Sequence, residues 1–596
     1  MAKSIIIIIA IITLSNCQKI ENSITEELEF ELDSFIESYI RENKVILEST
    51  FKSQEASLTS CSLCESTIDK IQSIILVKYG EEGLYKFLSK LCGIVLKENI
   101  CYAAIQRYGP IALDSIIKRS TDKKIICSNL HLCPSSFNYI SIEDYAKRIL
   151  SDKPKNIDSL KPKINMKGKT LKALQVTDIH LDLNYKENAT VECGIPLCCH
   201  ESPKNKYDIF NPEIKLSGKY GAIGDCDCSL EVVEAFSDKA KELEPDFILF
   251  TGDNIAHNVW EDTQEEVVYY TKTIIDSIEK RFGKNTPIYP AIGNHEKAPV
   301  DEFYGPESVL LNGLADIFKS YLSDDAYYTF KNFGYYSMLH GNSNLRIISL
   351  NCILCDSMNF NLIFDASQAK NMFDWFENEL KKAEKNNEVV YLLDHIPIGN
   401  HQHTEQCALR LKILLDRYQH IIRGYFSGHS HSEYLTIVKE YNSNKPTHVN
   451  YICSGLTTYS DYQPSFRIYE IDDETKYIKD YIQYRMDLEE SNKKREAQWF
   501  ISYKANEFFN VDTISNVEAV NKYEIGKDYV IKKYTDTYVG YKKLENKNTI
   551  HDLTCDFKED TVKGVFNCLS FSTGKLSKLL DWFLNTLMGE WREPKK

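Results

Sequence analysis

From residue 170 onward the chain repeats one pattern, a short apolar run that ends in a cluster of polar residues. The runs read LKALQVTDIH, PDFILFTGDN, PIYPAIGNHE, LRIISLN, VVYLLDHIP and IIRGYFSGHSH. Short apolar runs bounded by turn residues read as buried strands. Between several of them, apolar residues recur every three or four positions, as in Leu230, Val233, Phe236, Ala240 and Leu243, or Phe373, Phe376 and Leu380. That spacing predicts amphipathic helices. Strands alternating with helices predict an α/β unit over 169–495, with its ligand site in the loops beyond the C-terminal ends of the strands.

The rhythm upstream is different. In 56–137 the apolar positions Ile68, Ile71 and Ile75, then Leu84, Phe87, Leu88, Leu91, Ile94 and Val95, keep a helical period with no strand alternation. Residues 18–55 read as an amphipathic lead-in, and 138–168, polar and carrying Pro154 and Pro162, as a linker. The aromatic-rich stretch 496–596 is expected to be a helical C-terminal subdomain. At the N-terminus, MAKSIIIIIAIITLSNC carries one Lys, a short apolar run and then small and polar residues, the pattern of a signal peptide over 1–17. No later stretch is apolar enough to span a bilayer, so the expected location is secreted or lysosomal.

Composition narrows the choice of partner. The 596 residues exceed one core and predict about two to four domains. The net charge of −15 disfavours nucleic acid as the main partner, because phosphate backbones require a basic surface. Eighteen cysteines fit an oxidising compartment, and Asn188-Ala189-Thr190 is an acceptor sequon for glycosylation. Six of the cysteines, at 61, 64, 92, 101, 127 and 133, fall in the small helical unit; fifteen pairings are possible, and a nested pattern satisfies the spacing.

The strand ends supply, in order, Asp178 and His180, Asp253, Asn294 and His295, His395, and His429 and His431. Residues i and i+2 of a strand point the same way, so Asp178/His180 and His429/His431 are expected to present paired groups. Such oxygen and nitrogen donors suit borderline divalent cations, Zn2+ above all. Their number exceeds what one Zn2+ takes and implies two ions ~3.5–4 Å apart with a bridging carboxylate. Asp253, alone on its strand, is the natural bridge. Such a centre hydrolyses phosphoesters.

Two resemblances follow from these motifs. Cys61-x2-Cys64, Cys92-x8-Cys101 and Cys127-x5-Cys133 resemble a saposin B-type domain, which implies the pairs 61–133, 64–127 and 92–101 and contact with lipid. TDIHLD, TGDNIAHN, AIGNHE, LDHIP and FSGHSH are similar to the five blocks of calcineurin-like metallophosphoesterases. With CGIPLCC after the first block, the chain resembles acid sphingomyelinase-type phosphodiesterases over roughly 56–500 and more weakly to 596. The resemblance implies a β-sandwich flanked by helices, behind an all-α disulfide-stapled saposin domain and ahead of a helical C-terminal subdomain. It implies cleavage of sphingomyelin to ceramide and phosphocholine by a two-zinc bridging hydroxide. Carried over, Asp178, His180, Asp253 and His431 would hold one Zn2+, and Asp253, Asn294, His395 and His429 the other. His257 and His295 would stabilise the pentavalent phosphorus and protonate the leaving oxygen, and Tyr459 would lie on the substrate side.

The same resemblance implies disulfides Cys193–Cys198, Cys199–Cys226, Cys355–Cys407 and Cys555–Cys568. Cys228, Cys352 and Cys453 are left over, and the choice of Cys226 or Cys228 stays open. The saposin unit would lie on the membrane and present sphingomyelin to the catalytic edge, a peripheral contact. Oligomeric state is not readable. Two rival readings remain: a secreted hydrolase of nucleotides or other phosphodiesters with the same fold, and a non-enzymatic saposin-like lipid-binding protein.

Overall fold

Twelve strands among the described residues form two six-stranded sheets. They are β1 (Thr170–Val176), β2 (Phe247–Phe250), β3 (Ile288–Pro290), β4 (Tyr336–Leu339), β5 (Leu345–Ser349), β6 (Val389–Leu393), β7 (Ile422–Ser427), β8 (Tyr434–Lys439), β9 (Pro446–Ile452), β10 (Ser465–Asp472), β11 (Ile478–Met486) and β12 (Trp499–Lys504). The computed structural model describes residues 85, 89, 97–114, 141–201, 214–305, 308–364, 366–460, 462–522 and 554–569. The chain divides into two units, one of Met1–Ile140, Ser357–Ser367 and Lys575–Lys596, the other of Ser141–Asp356 and Gln368–Gly574.

The larger unit holds both sheets, in the orders β12-β11-β10-β1-β2-β3 and β4-β5-β6-β7-β9-β8. β1, β2 and β3 run parallel, as do β5, β6, β7 and β9, and the remaining pairings are antiparallel. The apolar alternation sends Phe247 and Leu249, Leu345 and Ile347, Tyr391 and Leu393, and Tyr469 and Ile471 into one core shared by the two sheets. This is a mixed α/β sandwich. Its flanking helices include Leu230–Glu242, Gln264–Phe282, Ser367–Lys385 and Glu405–Arg417. The second of these opens with a capping box between Thr263 and Glu266.

Three features depart from the sequence reading. The sheet continues past residue 495, because β12 pairs antiparallel with β11 and Trp499 packs 5.1 Å from Phe466. The helix Ala505–Phe509 then sends Ala505, Phe508 and Phe509 into the inter-sheet core. The stretch after 495 is thus in part a sandwich edge.

The second departure is the linker. Ser141 caps the helix Ile142–Leu150, which buries Ile142, Tyr145, Ala146 and Ile149 at helical spacing. Arg148 forms a bidentate bridge to Glu377 at 2.8 and 2.9 Å, and Lys153 joins Asp416 at 2.6 Å and Glu440 at 2.9 Å. The segment is docked, and its prolines follow the helix.

The third concerns how paired groups are aimed. β1 ends at Val176 and β7 at Ser427, before the polar pairs begin. Asp178, His180, Asp253, His429 and His431 have φ of 46°, 44°, 61°, 72° and 56°. Left-handed loop backbone, not strand alternation, turns these side chains inward.

In the smaller unit, the helix Glu98–Leu113 buries Cys101, Ala104, Ile105 and Tyr108 along one face, and Tyr85 lies against Gly109. Cys101 is disulfide-bonded. Cys61, Cys64, Cys92, Cys127 and Cys133, the expected signal peptide and lead-in, and residues 570–596 lie outside the described residues.

Candidate metal centre

The parallel strands β1, β2 and β3 of one sheet and β6 and β7 of the other end at one edge of the sandwich. The loop after each delivers one block, so both sheets furnish side chains to a single buried site. Close approach of these loops requires glycine. A Cβ on Gly293 would fall on the Asp253 carboxylate, and one on Gly428 on Thr177 and Asp178.

Asp253 lies at the middle. Its Oδ2 is 3.0 Å from Nε2 of His395 and 3.6 Å from Nε2 of His180, while Oδ1 accepts the His295 N–H at 2.9 Å. Asp178 accepts the His429 N–H at 2.9 and 3.0 Å, and its Oδ1 is 3.8 Å from His431 Nε2. Asn294 donates to Asp301 at 2.8 Å and turns its Oδ1 to His429 Nδ1 at 3.0 Å. Three sets of donor atoms are close enough to share an ion: His180, His257 and His431; His180, Asp253 and His295; and Asp253, His395 and His429.

The donors are prepared for a cation. His180 Nδ1 bonds the Ile255 carbonyl at 2.8 Å and His395 Nδ1 that of Thr251 at 2.6 Å. Those bonds place a ring proton on each Nδ1 and turn both Nε2 atoms toward the site, that of His180 with its lone pair and that of His395 against the Asp253 carboxylate. Burial pushes His180 and His429 well below the imidazole range and His431 down to about 3, so all three present neutral rings. Burial opposes charge on His395, but Asp253 and Asp178 outweigh it and hold it at about 10. Burial likewise opposes charge on Asp253, and His395 and His295 override it and hold it well below the carboxylate range. Asp178 is pushed up to about 7 by burial and by the Asp253 charge, against the pull of His395. Lone pairs and carboxylates converging in a buried site fit a divalent metal.

His257 stands beside this cluster. Its ring stacks on Tyr459 at 4.1 Å and on His180 at 3.9 Å. Its Nδ1 donates to Asp227 at 2.9 and 3.0 Å, and its backbone N–H to the same carboxylate at 2.7 Å. His295 is buried, and its Nδ1 has no hydrogen-bond partner. Tyr459 donates through its hydroxyl to the Pro196 carbonyl at 2.9 Å. Asn188 is exposed.

Two residues escaped the sequence reading. Asp227 orients His257 and accepts from Thr457 at 2.8 Å; its signal was the polar run GDCDCS, which ends no apolar stretch. Glu296 directly follows His295 and accepts the N–H groups of Gly293, Asp253 and Asn254, each at 2.7 Å. It thereby ties the second block to the third, although burial and the Asp253 charge raise it to about 7.

Disulfides join Cys193–Cys198, Cys199–Cys226, Cys355–Cys407 and Cys555–Cys568. Cys228, Cys352 and Cys453 are buried free thiols.

The calcineurin-like phosphoesterase family model matches residues 171–433. The chain is 30% identical over 488 residues to sphingomyelin phosphodiesterase A of Dictyostelium discoideum, covering 76% of this chain and 81% of that protein. It is 28% identical over 538 residues to sphingomyelin phosphodiesterase B of the same organism, covering 86% and 82%. Among solved structures it is similar to a dimetal phosphatase from Danio rerio, at 11% identity and a TM-score of 0.35, covering 56% of this chain and 98% of that one. With this coverage at both ends of the comparison and a metal-ready site where the family model matches, the chain belongs to the sphingomyelin phosphodiesterases, built on a calcineurin-like phosphoesterase unit.

Proposed function

We propose that this phosphodiesterase hydrolyses sphingomyelin to ceramide and phosphocholine, using two Zn2+ ions held at the edge of the sandwich. The observation that carries the reading is the position of Asp253 between His180 and His395, at 3.6 and 3.0 Å. One carboxylate within reach of two imidazole groups suits a bridging ligand. Asp178, His180, Asp253 and His431 would hold one ion, and Asp253, Asn294, His395 and His429 the other. When bound, two such ions polarise the phosphate oxygens and lower the pKa of water.

The chain's own residues then divide the work. His257 is fixed by Asp227 through Nδ1, so its free nitrogen is Nε2, the atom that would hand a proton to the departing ceramide oxygen. His295, held through its backbone by Asp253, would steady the phosphoryl group. Tyr459 covers the far face of His257 and would border the substrate. The saposin-type unit would sit on the bilayer and lift the lipid toward the site. No helix among the described residues is long and apolar enough to cross a membrane. That fits a peripheral enzyme in a secreted or lysosomal setting, with Asn188 open to glycosylation.

The test is a parallel assay of one purified preparation at acidic pH. Sphingomyelin liposomes are scored for phosphocholine, and ATP and CDP-choline for phosphate and phosphocholine. Turnover of the lipid alone supports the reading. Turnover of the nucleotides alone overturns the substrate and leaves the phosphodiesterase chemistry in place.

A further inference from the structure

The strands that carry the metal ligands have a second, opposite edge. There a cavity of about 280 Å3 lies among the first residues of β7 and β9, the docked segment after the helix Ile142–Leu150, and the helix Val517–Asn521. Arg423 stands near the start of β7 and His429 just beyond its end, so the cavity is one strand, roughly 20 Å, from the metal centre.

Its charged lining is Asp158, Lys161, Arg423 and Lys445, with the exposed Glu518 at the rim. Asp158 lies between two ammonium groups, 2.6 Å from Lys445 Nζ and 3.1 Å from Lys161 Nζ; Lys445 also lies 3.9 Å from Glu440, and Lys161 donates to Gln419 at 2.6 Å. Arg423 is buried, lies over the Tyr477 ring at 4.4 Å, and has no hydrogen-bond partner at Nε.

His448 completes the wall, and its protonation can be read from its neighbours. Its Nδ1 is 3.1 Å from Thr447 Oγ1, and that hydroxyl donates to the Val438 carbonyl. Thr447 must therefore accept from His448, which puts the ring proton on Nδ1. Nε2 is left as a buried lone pair with no partner. Burial, reinforced by Lys161 and Arg423, pushes His448 down to about 3, so the ring is neutral.

Three cations beside one unpaired acceptor select a ligand that both accepts and donates. A phosphate that keeps a proton does both, because its charged oxygens accept and its P–OH donates. Sulfate carries the charge without the proton. We propose that this cavity binds a protonated phosphate group, with Lys161, Arg423 and Lys445 on its charged oxygens and Nε2 of His448 accepting from its P–OH. Inorganic phosphate and a phosphate monoester headgroup share this chemistry.

The experiment is calorimetric titration of the metal-loaded full chain at about pH 5.5, below the second ionisation of a phosphate monoester near 6 and further below that of inorganic phosphate. The ligands are inorganic phosphate, phosphocholine and sulfate; the proteins are wild type and Lys161→Gln/Lys445→Gln. Wild type should bind one more phosphate than the double variant, or bind it at least tenfold more tightly, with sulfate at least tenfold weaker at that site. Lipid turnover by the variant should stay within twofold. An extra event with inorganic phosphate alone identifies the free ion, and one with phosphocholine the ester; both support the site. Equal stoichiometry and affinity in the two proteins overturn it, as does sulfate binding there as well as phosphate. Should the double variant fail to fold, Lys445→Gln alone, with a side chain 38% exposed, makes the same comparison.

Discussion

Nε2 of His180 and Nε2 of His431 face each other at 3.1 Å in a buried site. His180 already donates from Nδ1 to Ile255, so its Nε2 carries a lone pair. A proton on His431 Nε2 joins the pair as a hydrogen bond, and a divalent cation bound beside both nitrogens would take that proton's place. Zinc analysis of the native protein should give about two ions per chain. His431→Ala should lose one of them and at least 100-fold in activity, and Asp253→Ala should lose both ions and nearly all turnover. A metal-free preparation that hydrolyses at the native rate would refute the metal centre.

Asp227 holds His257 at both its ring and its backbone and also accepts from Thr457. Asp227→Asn keeps the shape and can still accept from the ring. It should cost about 10- to 100-fold in kcat with little change in KM, and Asp227→Ala should cost more. Zinc content should be unchanged in both. Loss of zinc in Asp227→Asn would make the residue a support of the metal site and not of His257.

The docked helix Ile142–Leu150 is secured by Arg148 on Glu377. Burial opposes ionisation of Glu377, but its bonds to Arg148 and Lys381 outweigh that and hold its pKa below the usual glutamate value. The pair's contribution is thus present above the unfolded glutamate pKa near 4.3 and is lost as pH falls through the lower folded value. Arg148→Ala should lower Tm at pH 7 and at pH 5 alike, by a shift worth about 1 kcal/mol or less, and the difference should vanish in stronger acid. Melting curves across pH that show the gap widening on acidification would contradict this.

Removing residues 56–137 would test whether lipid presentation is separate from chemistry. The truncated enzyme should retain most of its rate on a soluble diester such as CDP-choline and lose most of it on bilayer sphingomyelin. Equal losses on both would make the helical unit a brace for the catalytic unit.

The chemistry of the site was legible because it is written locally: each donor follows its own apolar strand within a few residues. The sandwich was harder, since nothing in LRIISLN or VVYLLDHIP shows which strands share a layer. That is settled by side chains such as Leu249 and Tyr391 meeting from opposite sheets. Asp227 and Glu296 end no apolar run of their own, and their roles depend on partners distant in sequence, His257 for Asp227 and Asp253 and Asn254 for Glu296. The helix at 142–150 was hidden by the prolines after it, although Ile142, Tyr145, Ala146 and Ile149 already carried its period. β12 is short and half exposed, and its membership depends on a cross-strand neighbour, Met486 opposite Trp499.

One sheet supplies Asp178, His180, Asp253 and Asn294 to the site and the other supplies His395, His429 and His431. Metal bound there would work as a clasp between the two layers. Its binding free energy would then count toward the cohesion of the whole sandwich, growing with free metal as RT ln(1 + [L]/Kd). A chain without its metal would be a looser object as well as an idle one, so metal supply would decide how long each molecule survives.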